Sequence, residues 1–238
     1  MDTHAKARAF AQQVQDLLNA TLPVLESAPE EDRAVSCLFV ADTYYAVHPG
    51  ATTNATPIPL LCDGEHVASL RVSYHCTSDT DGTFLAVKKS GFDLIARNKG
   101  DNKAPLLRLD YDRGAHSVPA AHWNVHAERG AVSHLLARTN PKHSGMLSKV
   151  HLPVGGARGR PCLEDFLQML FDEFQFDRLN GAQQAIDAGR ADWRRTQIAT
   201  MVRDAPDIAV HALHELGYTI LEPEAGPRAV NSTALRRP

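Results

Sequence analysis

One short stretch of the chain alternates polar and apolar side chains in a way that could support proton transfer. In AAHWNVHAERGA, residues 120–131, every second position is polar: His122, Asn124, His126 and Glu128. Imidazole exchanges a proton near neutral pH, so two histidines beside a carboxylate can serve as a general acid and a general base. The same alternation is typical of the solvated face of an ordinary strand. The sequence leaves both interpretations open.

The preceding segment, LLRLDY, repeats this alternation and adds a cation. Arg108 and Asp110 alternate with apolar residues. If the two segments pair as neighbouring strands, both side chains share a face with the four polar residues of the first stretch. Arg108 could then hold a phosphate or carboxylate through its fork of donors, and Asn124 would add an amide beside it. Asp110 or Glu128 would orient one of the histidines.

A shared metal ion is not predicted for these histidines. On a strand the α-carbons of His122 and His126 would lie about 13 Å apart, because each residue rises ~3.3 Å, and two imidazoles can barely bridge that span. The four cysteines contain no C-x-x-C pair, so neither a zinc ribbon nor a thioredoxin motif is indicated. We therefore expect buried, reduced thiols, no metal and no cofactor.

A glycine-rich loop, residues 155–159, offers a second candidate for anion binding. HLPVGGARGRPCLEDF reads as strand, loop and helix, and backbone N–H groups at such a junction could hold a phosphate together with Arg158 and Arg160. The stretch matches neither common phosphate-binding motif, because Val154 stands where the first glycine is needed. A tight connection formed by the glycines is therefore the preferred interpretation.

Residues 191–217 predict two helices joined by a short turn, an arrangement similar to a helix-turn-helix. The second helix would carry Asp207, His211, His214 and Glu215, and these side chains suit a phosphate-lined groove poorly. Packing over a sheet is the preferred role of the helix pair. DNA binding through it remains the alternative.

The candidate residues need a sheet to position them, and the patterns along the chain predict one. An amphipathic helix opens the chain. From about residue 34 to 154, short segments rich in β-branched and aromatic residues are separated by short turns, which predicts a mostly antiparallel sheet. In this interpretation VSHLLA is a further strand that follows a turn at Arg129-Gly130. His134 would then lie opposite Val125 on the apolar face.

Helices packed on that sheet are predicted for the later part of the chain, residues 161–217. Helices are expected at 180–189, at 191–203 and from Pro206 to Gly217. The first helix should face the sheet through one apolar stripe, formed by Leu163, Phe166, Leu167, Leu170, Phe171 and Phe174. The sequence thus predicts a single α+β domain over residues 1–222. Residues 223–238 lack periodicity and are predicted to be a disordered tail.

Composition and charge exclude several classes of protein. The net charge of −3 gives no general attraction to nucleic acid or anionic membranes, although a local basic patch remains open. The N-terminal residues lack the apolar region of a signal peptide, and no apolar run is long enough to span a bilayer. We expect a cytoplasmic protein that does not associate with membranes.

Several segments resemble known proteins. LLRLDYDR, HWNVHAERGA and KVHLPVGGARGRPCLEDF, with WRRTQ, VRDAP and LGY further on, resemble a family of uncharacterised proteins of high-GC actinobacteria over the larger part of the chain. More loosely, an Asp-Tyr strand followed by a histidine-bearing strand is similar to small toxins of the TumE type, the α+β toxins of toxin–antitoxin pairs. Their histidine cluster is denser, and His116, His122 and His126 are the residues that match it.

These observations lead to two hypotheses about function. In the first, the protein is a toxin- or defence-associated protein that acts on nucleic acid or another phosphoester, with His122 and His126 as acid and base. The resemblance implies an antitoxin or another operon-encoded protein as its partner. In the second, it is a non-catalytic interaction or regulatory protein that docks a partner on its polar sheet face. Neither the substrate nor the oligomeric state follows from the sequence.

Overall fold

The computed structural model describes residues 2–27, 29–40, 44–79, 82–97, 105–115, 119–126, 130–139 and 161–232. Within these ranges the chain forms an α+β fold, as the sequence predicts. The strands are β1 (Val35–Val40), β2 (Tyr44–Pro49), β3 (Ile58–Cys62), β4 (Glu65–Ser78), β5 (Leu85–Ala96), β6 (Leu107–Asp112) and β7 (Ala121–Val125). The helices are α1 (Thr3–Thr21), α2 (Glu30–Arg33), α3 (Gly130–Thr139), α4 (Leu163–Phe174), α5 (Ala182–Asp204) and α6 (Pro206–Glu215).

The strands form one antiparallel sheet in the order β1-β2-β4-β5-β6-β7, with β3 paired to β4. The long strand β4 is central because β2 pairs with its second half and β3 with its first half. A two-residue turn joins β3 to β4, and both of its residues have positive φ, 54° at Asp63 and 78° at Gly64. Asp-Gly is a favoured sequence for this turn, whose twist matches that of the flanking strands.

The core lies between the apolar face of the sheet and the helices α1 and α4. On α1, Phe10 meets Tyr74 of β4 with ring centroids 4.9 Å apart. On α4, the fully buried Phe166 lies 5.8 Å from the ring of Phe92 and stacks on Trp123 at 5.7 Å. The whole predicted stripe of α4 is buried, which confirms that this helix faces the sheet. Helix α5 packs in turn against α1 and α4.

The segment VSHLLA is helical, so its prediction as a strand is wrong. It lies in α3, whose buried residues Val132, Leu135, Leu136 and Thr139 recur at helical spacing. A six-residue apolar window fits the strand and helix periods about equally well, and only the longer run separates them. Gly130 begins this helix, so the residues that follow it do not form a further strand. His134 is exposed on the helix instead of facing the apolar side of the sheet.

The two helices predicted at 180–189 and 191–203 are one continuous helix, α5. Gly189 suggested a break, but it serves close packing: a Cβ there would lie 2.5 Å from Oε1 of Glu164 on α4. The predicted end of α6 at Gly217 is confirmed. Gly217 has a φ of 87°, and the N–H of Tyr218 reaches back to the carbonyl of Leu213 at 3.0 Å, a common glycine-based helix end.

Candidate functional site

The pairing of β6 with β7 brings four of the predicted site residues onto one face. Arg108 lies opposite Asn124, and Asp110 lies opposite His122. Residues directly opposite each other in an antiparallel pair share a face, so the register agrees with the one inferred from the alternation. The intervening apolar residues, such as Leu109, point into the core on the other side.

The same face continues across β5 and β4. Asp93 of β5 lies opposite Arg108, and Arg71 of β4 lies opposite Asp93. One step along the strands, Ser73, Gly91, Asp110 and His122 form a second row of opposed residues. We use the name polar sheet face for the side chains of both rows: Arg71, Ser73, Asp93, Arg108, Asp110, His122 and Asn124.

A buried carboxylate between two arginines anchors the polar sheet face. Asp93 accepts from Nη1 of Arg71 at 3.0 Å and lies 3.3 Å from Nε of Arg108. The Asp93 side chain is only 8% exposed, whereas those of Arg71 and Arg108 are 31% and 42% exposed. Burial raises the pKa of Asp93 above its ordinary value, because desolvation of the carboxylate outweighs the attraction of Arg108 and Arg71.

Asp110 positions one side chain of its own strand and one of the adjacent strand. Its Oδ1 accepts from Nη2 of Arg108 at 3.1 Å, and its Oδ2 accepts from Nδ2 of Asn124 at 2.9 Å. The sequence predicts that Asp110 or Glu128 orients a histidine. In the structure both carboxylate oxygens bind the arginine and the amide, so Asp110 holds Arg108 and Asn124 in place.

His122 is oriented by the backbone. Its Nδ1 lies 2.8 Å from the carbonyl oxygen of Pro119. A carbonyl only accepts, so Nδ1 carries the proton and Nε2 of the neutral ring keeps its lone pair. His122 therefore presents a basic nitrogen next to Asp110. His126 follows the end of β7, where its backbone N–H donates to Leu106 and its side chain is exposed.

Gly91 leaves a gap between Ser73 and Asp110. A Cβ at this position would lie 3.4 Å from both Oδ1 of Asp110 and Oγ of Ser73, which is ordinary contact distance. A small side chain could fill the gap without strain.

Two further histidines lie on neighbouring strands, and the sequence analysis did not single them out. His75 of β4 stacks on Tyr44 with ring centroids 4.4 Å apart. Burial, together with Lys89 and His48, lowers the pKa of His75. His48 of β2 is only 2% exposed; its Nδ1 donates to the Pro49 carbonyl at 3.0 Å, and its buried Nε2 has no hydrogen-bond partner in the described residues. The contact between His75 and Tyr44 depends on the pairing of β2 with β4, which no local sequence pattern predicts.

Some of the predicted site residues lie outside the described ranges: Glu128, Arg158, Arg160, His116 and the whole glycine-rich loop 155–159. The predicted strand at SKVHLPV lies outside them as well. Within the described ranges, no group of three or more histidine, cysteine, aspartate or glutamate side chains is arranged to hold a metal ion. The buried Cys162 thiol has a strongly raised pKa because it is desolvated, so it is a poor nucleophile at neutral pH.

In the part of the chain that the structure describes, no helix combines the length and the apolar character needed to cross a membrane. Comparison of the chain with protein-family models, with curated proteins and with solved structures yields no match.

Proposed function

We propose that the polar sheet face binds the phosphate group of a nucleic acid or another phosphoester, and that the protein acts on that ligand. The observation that carries this proposal is the pair of arginines held on either side of the buried Asp93 carboxylate. Arg71 donates one N–H to Asp93 and Arg108 donates one to Asp110, while Nε of Arg108 lies at ion-pair distance from Asp93. Each guanidinium has five N–H donors in a planar fork that matches phosphate oxygens.

The position of the arginines favours recognition over a purely structural role. Both side chains stay partly exposed although their carboxylate partner is buried. Asp93 and Asp110 fix the guanidinium groups, so less rotamer entropy is lost when a ligand binds. An exposed arginine with no such partners would lack this preorganisation.

In this proposal His122 is the general base and His126 the general acid. The bond from Nδ1 to Pro119 leaves Nε2 of His122 free to take a proton from water or from a ribose hydroxyl. Asn124, held by Asp110, would donate a hydrogen bond to the ligand's oxygens. The biological role that we attach to this chemistry is that of a toxin or defence protein.

A second candidate function is non-catalytic docking of a protein partner, such as an antitoxin or another operon-encoded protein. The observation that favours it is the bonding of Asp110, which holds Arg108 and Asn124 and leaves His122 oriented by a carbonyl. A carboxylate partner that stabilises the imidazolium is a common part of histidine catalysis. Alternating charges on a flat sheet also suit a partner of complementary charge.

Binding and cleavage of short RNA and DNA oligonucleotides separate the two functions. We expect wild-type binding to weaken as salt is raised, because phosphate contacts release counterions. Arg108→Lys keeps the charge and loses the fork, so it should weaken binding; Arg138→Ala on α3 is the matched control for loss of a remote cation. His122→Ala should bind normally and lose cleavage about 10²–10⁴-fold.

Each outcome of this experiment decides between the candidates. Binding with cleavage that disappears in His122→Ala supports catalysis. Absence of both binding and cleavage in a folded wild-type protein contradicts the proposal and leaves protein docking. Expression in bacteria, scored for growth arrest and phage resistance, tests the biological role with the same variants.

A further inference from the structure

In the described part of the chain, most of the exposed large hydrophobic side chains lie near the C-terminal end. We call residues 194–230, which comprise the second half of α5, α6 and the segment after it, the C-terminal arm. Among the described residues, ten of the fourteen exposed large hydrophobic side chains lie in this arm: Ile198, Met201, Val202, Ile208, Val210, Leu213, Leu216, Tyr218, Leu221 and Val230. Soluble monomers rarely expose a contiguous apolar patch of this kind, and larger ones mark interaction sites.

The apolar side chains of the arm form stripes along both helices. On α5, Ile198, Met201 and Val202 are spaced i, i+3 and i+4 and share one side of the helix. On α6, Val210 and Leu213 are spaced i and i+3, and Leu216, just past the end of the helix, continues the series and is 74% exposed. Helix α6 packs mainly against the end of α5 and has no buried residue. The apolar side of α6 is therefore left largely exposed to solvent by the described part of the chain.

The charges of the two helices are complementary. The second half of α5 carries three arginines and no acidic residue between positions 193 and 203. Arg194 lies 3.6 Å from Asp165 of α4 and Arg203 lies over the ring of Phe84, so Arg195 is the most available of the three. Arg195 keeps 82% of its side chain exposed. From position 206 to 224 every formal charge is negative, and the acidic residues are Asp207, Glu215, Glu222 and Glu224.

We propose that the C-terminal arm pairs with the arm of a second copy of this chain about a two-fold axis, with α5 of each copy against α6 of the other. In such a dimer the basic α5 meets the acidic α6 twice, because a two-fold interface repeats every contact. The apolar stripes of both helices are buried in the same step. Complementary charge then sets the orientation of the helices, and the apolar area supplies the affinity.

The mass of the full-length protein in solution tests this dimer. By light scattering or sedimentation we expect the wild type at twice the chain mass of 26.0 kDa. Leu216→Asp places a charge in the apolar stripe and should give a monomer with an unchanged circular dichroism spectrum. Val24→Asp alters an apolar residue that is 51% exposed outside the arm, so this matched control should remain a dimer. A monomeric wild type, or a dimeric Leu216→Asp variant, overturns the proposal.

A pair of charge-reversal variants tests the two-fold arrangement itself. One variant carries Arg195→Glu and Arg203→Glu, which leave the contact of Arg194 with the buried Asp165 intact, and the other carries Asp207→Lys and Glu215→Lys. Alone, each variant would place like charges opposite each other at both contacts between α5 and α6. Its homodimer should therefore dissociate at low salt. Mixed, they restore opposite charges at both contacts, so a heterodimer should form. If the substitutions acted only on contacts within their own chain, mixing the two variants would not restore association. Failure of the mixture to form a heterodimer would contradict the pairing of α5 with α6.

Discussion

The polar sheet face and the C-terminal arm both lie on regular secondary structure, but they differ in how their side chains are held. On the sheet, Asp93 sits between Phe92 and Leu94, which are 1% and 0% exposed and lock the strand into the core. The charged groups of the polar sheet face lie 2.9–3.3 Å from their partner atoms. On the arm, α6 has no buried residue, so little fixes its position. Preorganised polar groups suit binding of a small, charged ligand, whereas unpaired apolar stripes suit association with another helix surface.

Loss of core packing under the sheet should have the largest effect. Phe166 is fully buried between Phe92 and Trp123, so Phe166→Ala should lower the free energy of unfolding by about 3–5 kcal/mol. Leu216→Ala, on the arm, is the contrasting variant and should change the stability of the monomer by less than about 0.5 kcal/mol. Urea unfolding of both variants measures the difference. Equal losses would show that the arm is as firmly packed as the sheet.

Removal of the buried negative charge should strengthen anion binding. In Asp93→Asn the arginines keep an amide partner and lose one opposing charge, which is worth about 1 kcal/mol of binding at a separation of about 4 Å and the dielectric of water, or roughly fivefold in Kd. Because burial raises the pKa of Asp93, a neutral side chain should not reduce stability at neutral pH. Titration with inorganic phosphate and an oligonucleotide measures binding, and thermal unfolding measures stability. Weaker binding would mean that the carboxylate positions the arginines and that its charge matters less.

The pH dependence of binding should depend on the same carboxyl group. The folded-state pKa of Asp93 is raised, so Asp93 gains its proton as the pH falls through that raised value. Between the raised value and the ordinary carboxyl value, Asp93 is protonated in the folded protein and ionised in the unfolded chain. Wild-type affinity for an anion should therefore increase as pH falls through the raised pKa, and folding stability contributed by the protonated form is lost as pH rises through it. Every other titratable group is common to both proteins, so the difference between wild type and Asp93→Asn isolates Asp93. Parallel pH profiles would contradict this assignment.

Deletion of the last residues should have the smallest effect. The tail from Glu224 onwards has no apolar periodicity, and a chain that ends at Pro223 should keep its melting temperature within error. One contact opposes this expectation: Asn231 bonds to Asp204 at the end of α5, at 2.8 Å through its backbone and 3.0 Å through its amide. Both groups are exposed at this bond. A clear drop in melting temperature would show that the tail stabilises the arm.

Local patterns predicted the paired rows of β6 and β7 because a period of two places alternate residues on one face without further information. They missed the role of Asp93, which stands inside the apolar run GFDLIA. Its partner Arg71 is 22 positions earlier, and their contact depends on the register of β4 with β5. The helix α3 was predicted wrongly because its apolar spacing appears only over a longer window than six residues. The carbonyl that orients His122 belongs to the backbone, which has no sequence signature.

The Asp-Gly turn between β3 and β4 has a consequence for the order of folding. Both backbone N–H groups of the turn donate to the carboxylate of Asp177, which follows α4, at 3.1 Å from Asp63 and 2.8 Å from Gly64. The hairpin can form by itself within about 1–10 μs. The two hydrogen bonds to Asp177, which we call the clasp, close a loop of more than a hundred residues. The clasp should therefore form after the rate-limiting step, so Asp177→Ala should speed unfolding and leave the refolding rate nearly unchanged.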